Sequence, residues 1–149
     1  MTIRYAYTHS VLRYVHDITA GEFVNVGVAL CAPEARYVGA LCRTTYGRLA
    51  RLFPGMDGQS FRATMCYIQS QFKLLGAELA NKPQPRSFGT VIDLAHMVLP
   101  SDDSGLQWAP IGGGLTRDPS RELKKLYERM VMQYEIPRRG AQHGQRAAL

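Results

Sequence analysis

The sequence predicts an α+β domain in which an N-terminal antiparallel meander of three strands is packed by about three to four helices, with a possible late edge strand. Three observations predict it. Residues 3 to 43 fall into three strand-like runs, the first rich in aromatic and β-branched residues, separated by turn-forming residues. After Thr44 the apolar spacing changes to three and four, the period of a buried helical face. Neither half shows the regular strand–helix alternation of a parallel doubly wound sheet, and no internal repeat is visible.

Ile3 to Val15 is expected as one long strand. It places Ile3, Tyr5, Tyr7, His9, Val11, Arg13 and Val15 on one face and Arg4, Ala6, Thr8, Ser10, Leu12 and Tyr14 on the other. A turn over His16 to Gly21, with Asp17 and Gly21 as turn formers, leads into a second strand from Glu22 to Cys31. Strict alternation puts Val24, Val26, Val28 and Leu30 on one face of it, while Gly27 points to a bulge or a close backbone approach. Ala32-Pro33-Glu34 turns the chain into a third strand, Arg36 to Arg43.

Tyr46 to Phe53 then reads as a short helix stopped by Pro54-Gly55. From Ser60 to about Ala80, Phe61, Met65, Ile68, Phe72, Leu75 and Leu79 form a helical stripe, which is far more often core than a cofactor box. Asn81 to Pro85 is a loop, and Ser87 is expected to cap a helix carrying Phe88, Val91, Ile92, Ala95 and Leu99 that ends at Pro100. Leu106 to Thr116 reads as an edge strand, because Pro110 forbids a central ladder position. Asp118 as N-cap, Pro119 at the first helical position and Glu122 in the first turn open a last helix. Leu123, Leu126, Tyr127, Met130, Val131 and Tyr134 form its apolar face, and Pro137 stops it. The expected organisation is thus one domain over residues 1–136 and a basic tail over 137–149, expected to be disordered.

A chain of 149 residues, 46% hydrophobic and 20% charged, has room for one domain with a real core. There is no apolar run of the roughly eighteen residues a membrane helix needs, and MTIRYAYTHS lacks the order of a signal peptide, so the expected location is the cytoplasm. Cys31, Cys42 and Cys66 are odd in number and widely spaced, which reads as reduced, mostly buried thiols. The net charge of +6 admits a nucleic-acid or acidic partner, but Arg138, Arg139 and Arg146 place half of it on the tail. Arginine outnumbers lysine 14 to 4, which fits guanidinium recognition of carboxylate or phosphate and equally a GC-rich genome.

No catalytic or metal constellation stands out. Gly112-Gly113-Gly114 lacks the GK[ST] ending or GxGxxG spacing of a phosphate cradle. His16-Asp17 resembles the dipeptide of metal phosphohydrolases, but His9, His96 and His143 do not supply the further ligands at metal spacing. There is no GxSxG elbow, and Ser10, Ser60, Ser70, Ser87, Ser101, Ser104 and Ser120 read as strand, cap or loop residues. No cofactor is expected.

Polar residues that interrupt a strand pattern are the remaining signal. Arg13, Tyr14, Asp17, Glu22 and Asn25 are expected to cluster at the hairpin end, where Arg13 and Glu22 are within cross-strand reach. Buried or half-buried polar groups there need partners, from the domain itself or from a ligand. Alternation puts Glu22 and Asn25 on opposite faces unless a bulge intervenes.

YTHSVLRYVHDITAGEFVNVGVAL resembles the N-terminal signature of an uncharacterised bacterial group, the domain-of-unknown-function family 3037, which runs roughly Y-S-x-x-R-Y-x-P-D-x-x-x-G-E-F-x-N-V-G-V. Tyr7, Ser10, Arg13, Tyr14, Asp17, Gly21, Glu22, Phe23, Asn25, Val26, Gly27 and Val28 supply its elements. His16 stands where proline is usual, and Tyr7 lies two residues further from Ser10 than the pattern has it. The resemblance implies, through gene neighbourhood alone, a small partner or regulator of a HipA-like kinase, and carries no activity with it.

Two uses of the domain follow as expectations. In the first it is a non-catalytic protein-interaction module for a kinase-like or toxin- or defence-type protein, with Arg13, Glu22 and Asn25 fixing the surface and Tyr5, Tyr7 and Tyr14 as anchors. In the second, exposed sheet tyrosines and arginines together with Arg138, Arg139 and Arg146 bind nucleic acid by stacking and phosphate pairing. An enzyme with an unrecognised site is the third and least favoured.

Overall fold

The computed structural model describes residues 3–17, 21–81, 90–99 and 105–132. Tyr5–Asp17 (β1), Glu22–Ala32 (β2) and Tyr37–Cys42 (β3) form the antiparallel meander, and Gly47–Leu52 (α1), Gly58–Asn81 (α2) and Val91–Val98 (α3) follow it. Leu106–Trp108 (β4) and Gly112–Thr116 (β5) come next, then Pro119–Tyr127 (α4), which runs into a π-helical turn over Glu128–Met132. The expected α+β class and the late edge strand are both present. Ser87, Phe88 and Tyr134, the ends of the predicted third and last helices, and the tail 137–149 lie outside the described residues.

The sheet has five strands in the order β3-β2-β1-β4, with β5 also on β1. The first strand is therefore central. Leu12, Arg13 and Tyr14 pair with β4, and Tyr5 to His9 pair with β5. The late edge is one strand in two pieces: Ala109 still donates its N–H to the Val11 carbonyl at 2.8 Å, and Pro110, which has no N–H to give, falls in the gap.

The two faces of the sheet carry separate cores. On one, Leu49, Phe61, Met65, Ile68, Phe72, Val91 and Ala95 from the first three helices cover Leu12, Val26, Ala29, Cys31 and Val38. On the other, Leu123 and Leu126 of α4 and Val131 cover Tyr7, Val11, Val28, Leu30 and Ala32. Helices thus shield both faces, which explains the nearly unbroken apolar run from Val26 to Ala32.

One expectation needs correction. Val24, Val26, Val28 and Leu30 do not share a face: Val24 and Val26 pack with the first core and Val28 and Leu30 with the second. The cause is a bulge. Leu12 pairs with Gly27 and Arg13 with Asn25, leaving Val26 as an extra residue on β2, so alternation shifts by one there. Gly27 suits that spot because a Cβ would lie 3.0 Å from the Cys42 sulfur and 3.2 Å from the Leu41 carbonyl. A second shift leaves His16 unpaired between Val15 and Asp17.

Local chemistry sets the helix starts. The Asp57 carboxylate accepts the Ser60 N–H at 3.1 Å before α2, and these bonds hold its pKa below the usual value. Asp93 accepts the Thr90 N–H at 3.1 Å, so Thr90 occupies the N-cap of α3. Asp118 accepts the Arg121 N–H at 3.2 Å, with Pro119 at the first position of α4, as the sequence predicts.

Candidate functional site

Several of the signature residues find their partners within the domain. Tyr14 packs at 5.6 Å from the Phe53 ring and meets Phe61 edge-on at 5.9 Å, both against the first core. Arg13 lies on the opposite face, its guanidinium 4.2 Å over the Phe23 ring. Asn25, directly across from Arg13, donates from its amide nitrogen to the Met130 carbonyl at 3.1 Å. That bond ties the β2 bulge to the π-helical turn, where the helical hydrogen-bond pattern is shifted. The Asn25 Oδ1 and Arg13 Nε atoms are buried without a hydrogen-bond partner among the described residues.

The expected Arg13–Glu22 pair does not form. The second register shift sets Glu22 opposite Asp17, and Glu22 is exposed at the hairpin end. Nor are Glu22 and Asn25 brought together, because the bulge lies beyond Asn25 rather than between the two. Tyr5 and Tyr7 belong to the core beneath α4. The Tyr7 hydroxyl donates to Glu122 at 2.9 Å, and burial together with that bond pushes its pKa to about 12. Tyr7 is buried, and Tyr5 and Tyr14 are half-buried, so none of the three is the fully exposed sheet tyrosine expected for stacking. Arg138, Arg139 and Arg146 lie outside the described residues.

His9 sits beside β5, where a Cβ on Gly112 would come within 2.6 Å of its ring. Burial, then the nearby Arg129 charge, lowers its pKa below the ordinary 6.5. Cys31 and Cys42 are buried and their thiols are pushed up to about 12 by that burial, so neither is an activated nucleophile. Among the described residues no three His, Cys, Asp or Glu side chains gather where they could hold a metal ion. No described helix is long and apolar enough to cross a membrane.

Among the described residues no further strand pairs with the outer edge of β3. This edge lies in a groove of about 520 Å³, walled by α2 through Gln69, Lys73 and Gly76 and by α4 through Ser120, Leu123 and Lys124. Its floor is backbone. Arg43 donates its N–H to Val26 across the meander, so by antiparallel alternation Val38, Ala40 and Cys42 turn their N–H and C=O groups outward. Gln69 accepts the Cys42 N–H at 2.7 Å and closes one end. Gly76 brings α2 so near that a Cβ there would stand 2.7 Å from the Val38 carbonyl. At the other end Arg36 holds a left-handed backbone, φ 53°, which costs a non-glycine residue about 1 kcal/mol or more.

The family model for a protein of unknown function, DUF3037, matches residues 9–131. The chain belongs to the DUF3037 family. The match takes in the inward-turned hairpin residues and both walls of the groove. Searches of curated proteins and of solved structures found no match. Sequence reasoning found the scaffold of this DUF3037 domain and missed its groove: Lys73, Lys124 and Arg36 stand far apart in sequence, and an unpaired strand edge has no residue signature. The one available signal was Gly76, a glycine within an otherwise good helix.

Proposed function

We propose that this DUF3037 domain is a protein-interaction module that takes its partner along the β3 edge, as partner or regulator of a kinase-like or toxin- or defence-type protein in the bacterial cytoplasm. The observation that supports this reading is the sheet edge with outward backbone groups, set in a groove between two helices. Unpaired strand edges are either blunted or used for pairing. The gene neighbourhood implied by the family resemblance makes a HipA-like kinase the first candidate. Nucleic-acid binding through sheet tyrosines has less behind it, since helices cover both faces of the sheet.

The test is co-purification of the tagged full chain from its host, followed by hydrogen exchange on the isolated complex. The expected result is a stoichiometric protein that protects the amides of residues 37–42. A chain that captures no stoichiometric protein, or a complex that leaves the β3 amides unprotected, would overturn the reading.

A further inference from the structure

We infer that the segment received by the groove is an acidic, extended stretch of another protein, which adds to β3 as a sixth strand; this deepens the interaction reading and rests on it. The backbone argument comes first. Of the outward groups on β3, the Cys42 N–H is already held by Gln69 and the Val38 carbonyl lies against Gly76. Ala40 keeps its N–H and C=O directed into the groove, the two-bond pair through which an antiparallel strand docks. Walls on both sides make the groove selective, because a single extended chain enters where a folded edge does not.

Charge then selects the occupant. Lys73 stands on the α2 wall, Lys124 on the α4 wall and Arg36 at the mouth, all exposed, and no carboxylate is among the described lining residues. Successive side chains of an added strand point to opposite faces, so adjacent acidic residues would meet Lys73 and Lys124 in turn. Leu41 and Leu123 offer apolar contact beside them. A second copy of this chain would bring the same three cations face to face. The chain's own final stretch, PRRGAQHGQRAAL, contains no acid. Both are disfavoured by like-charge repulsion. A nucleic acid would satisfy the cations but has no peptide N–H and C=O pair to complete the ladder at Ala40.

The inference is tested on the full chain with a short blocked peptide carrying two adjacent glutamates between valines, titrated by fluorescence and mapped by amide NMR shifts. Saturable binding is expected, with the Ala40 amide among the largest shifts. The double variant Lys73→Glu/Lys124→Glu, altered only at exposed positions, should keep its melting temperature and weaken binding by about tenfold or more. A peptide of the same charge with proline at alternate positions should fail, since it cannot donate to the ladder. Absent binding, binding indifferent to proline or to the charge reversal, or an unmoved Ala40 amide would each overturn the inference. So would polyuridylate displacing the peptide through the same lysines more tightly than the peptide binds. If the acidic peptide fails while a host protein still protects the β3 amides, only the acidic-strand inference falls; if both fail, the interaction reading falls with it.

Discussion

At the hairpin end of β1 and β2 three of the side chains that mark the family are engaged within the domain, Tyr14 against Phe53 and Phe61, Asn25 on the Met130 carbonyl and Arg13 over Phe23, while Glu22 stays exposed. On the far side of β2, the outer edge of β3 carries none of the signature residues, yet it holds the outward backbone groups and the cations. The difference teaches that a strong sequence motif can report how a sheet is built rather than what it binds. Gly27 and Val26 are needed for a bulge, Asn25 to fasten it to the π-helical turn, and Ser10 to bond the Ala109 carbonyl at 2.7 Å and hold the broken edge strand. On the reading proposed above, recognition is left to an edge that such residues support from behind.

The comparison breaks most visibly if hairpin residues can be removed cheaply. Tyr14→Ala should destabilise the domain the most, by roughly 3 kcal/mol, because it empties a space between two aromatic rings; denaturant unfolding measures it. Asn25→Ala should cost about 1–3 kcal/mol by leaving the Met130 carbonyl unpaired, with acidic-peptide affinity unchanged in the fraction that stays folded. Gly76→Ala lies at the boundary between the regions. Helix propensity favours alanine by about 1 kcal/mol, but a Cβ 2.7 Å from the Val38 carbonyl must push α2 off the β3 edge. A lower melting temperature together with altered peptide affinity is therefore expected, and a simple stabilisation would show that the contact is slack.

Arg36→Gly sharpens the contrast from the groove side. Relief of the left-handed backbone should raise stability by up to about 1 kcal/mol, while loss of the guanidinium weakens acidic-peptide binding. The smallest effect is on acid sensitivity. Because His9 has its pKa lowered in the fold, chiefly by burial, the unfolded chain binds a proton more readily than the native one. Its contribution to stability is whole above pH 6.5 and is lost as the pH falls from there toward the folded-state pKa. Melting temperatures of the wild type and His9→Gln should diverge at neutral pH and converge on acidification, whereas a constant gap would remove His9 from the account.

The sheet order shows how far the sequence could be read. The strand-like runs over residues 5–17 and 22–32 and the period of Phe61, Met65, Ile68 and Phe72 located the elements, since burial writes itself into composition and spacing. Asp118 and Pro119 announced α4 for the equally local reason that an N-cap and a first-turn proline act within a few residues. The face switch at Val26 was half legible: Gly27 pointed to a bulge, but valine serves either core equally well and only register shows where the faces exchange. The pairing of Asp17 with Glu22 was hidden for the same reason: one extra residue, His16, moves every partner beyond it. The groove was least legible of all, being made of main-chain atoms and of cations brought from three separate segments.

Partner recognition is proposed to lie at the β3 edge, with the hairpin signature serving the scaffold. Hydrogen exchange on the full chain, alone and in complex with its co-purified host partner, tests it most directly. Slowed exchange is predicted at the β3 amides, Ala40 above all, with rates at residues 13–25 unchanged by the partner. Protection at the hairpin end, with β3 exchanging as it does in the free chain, would contradict the account.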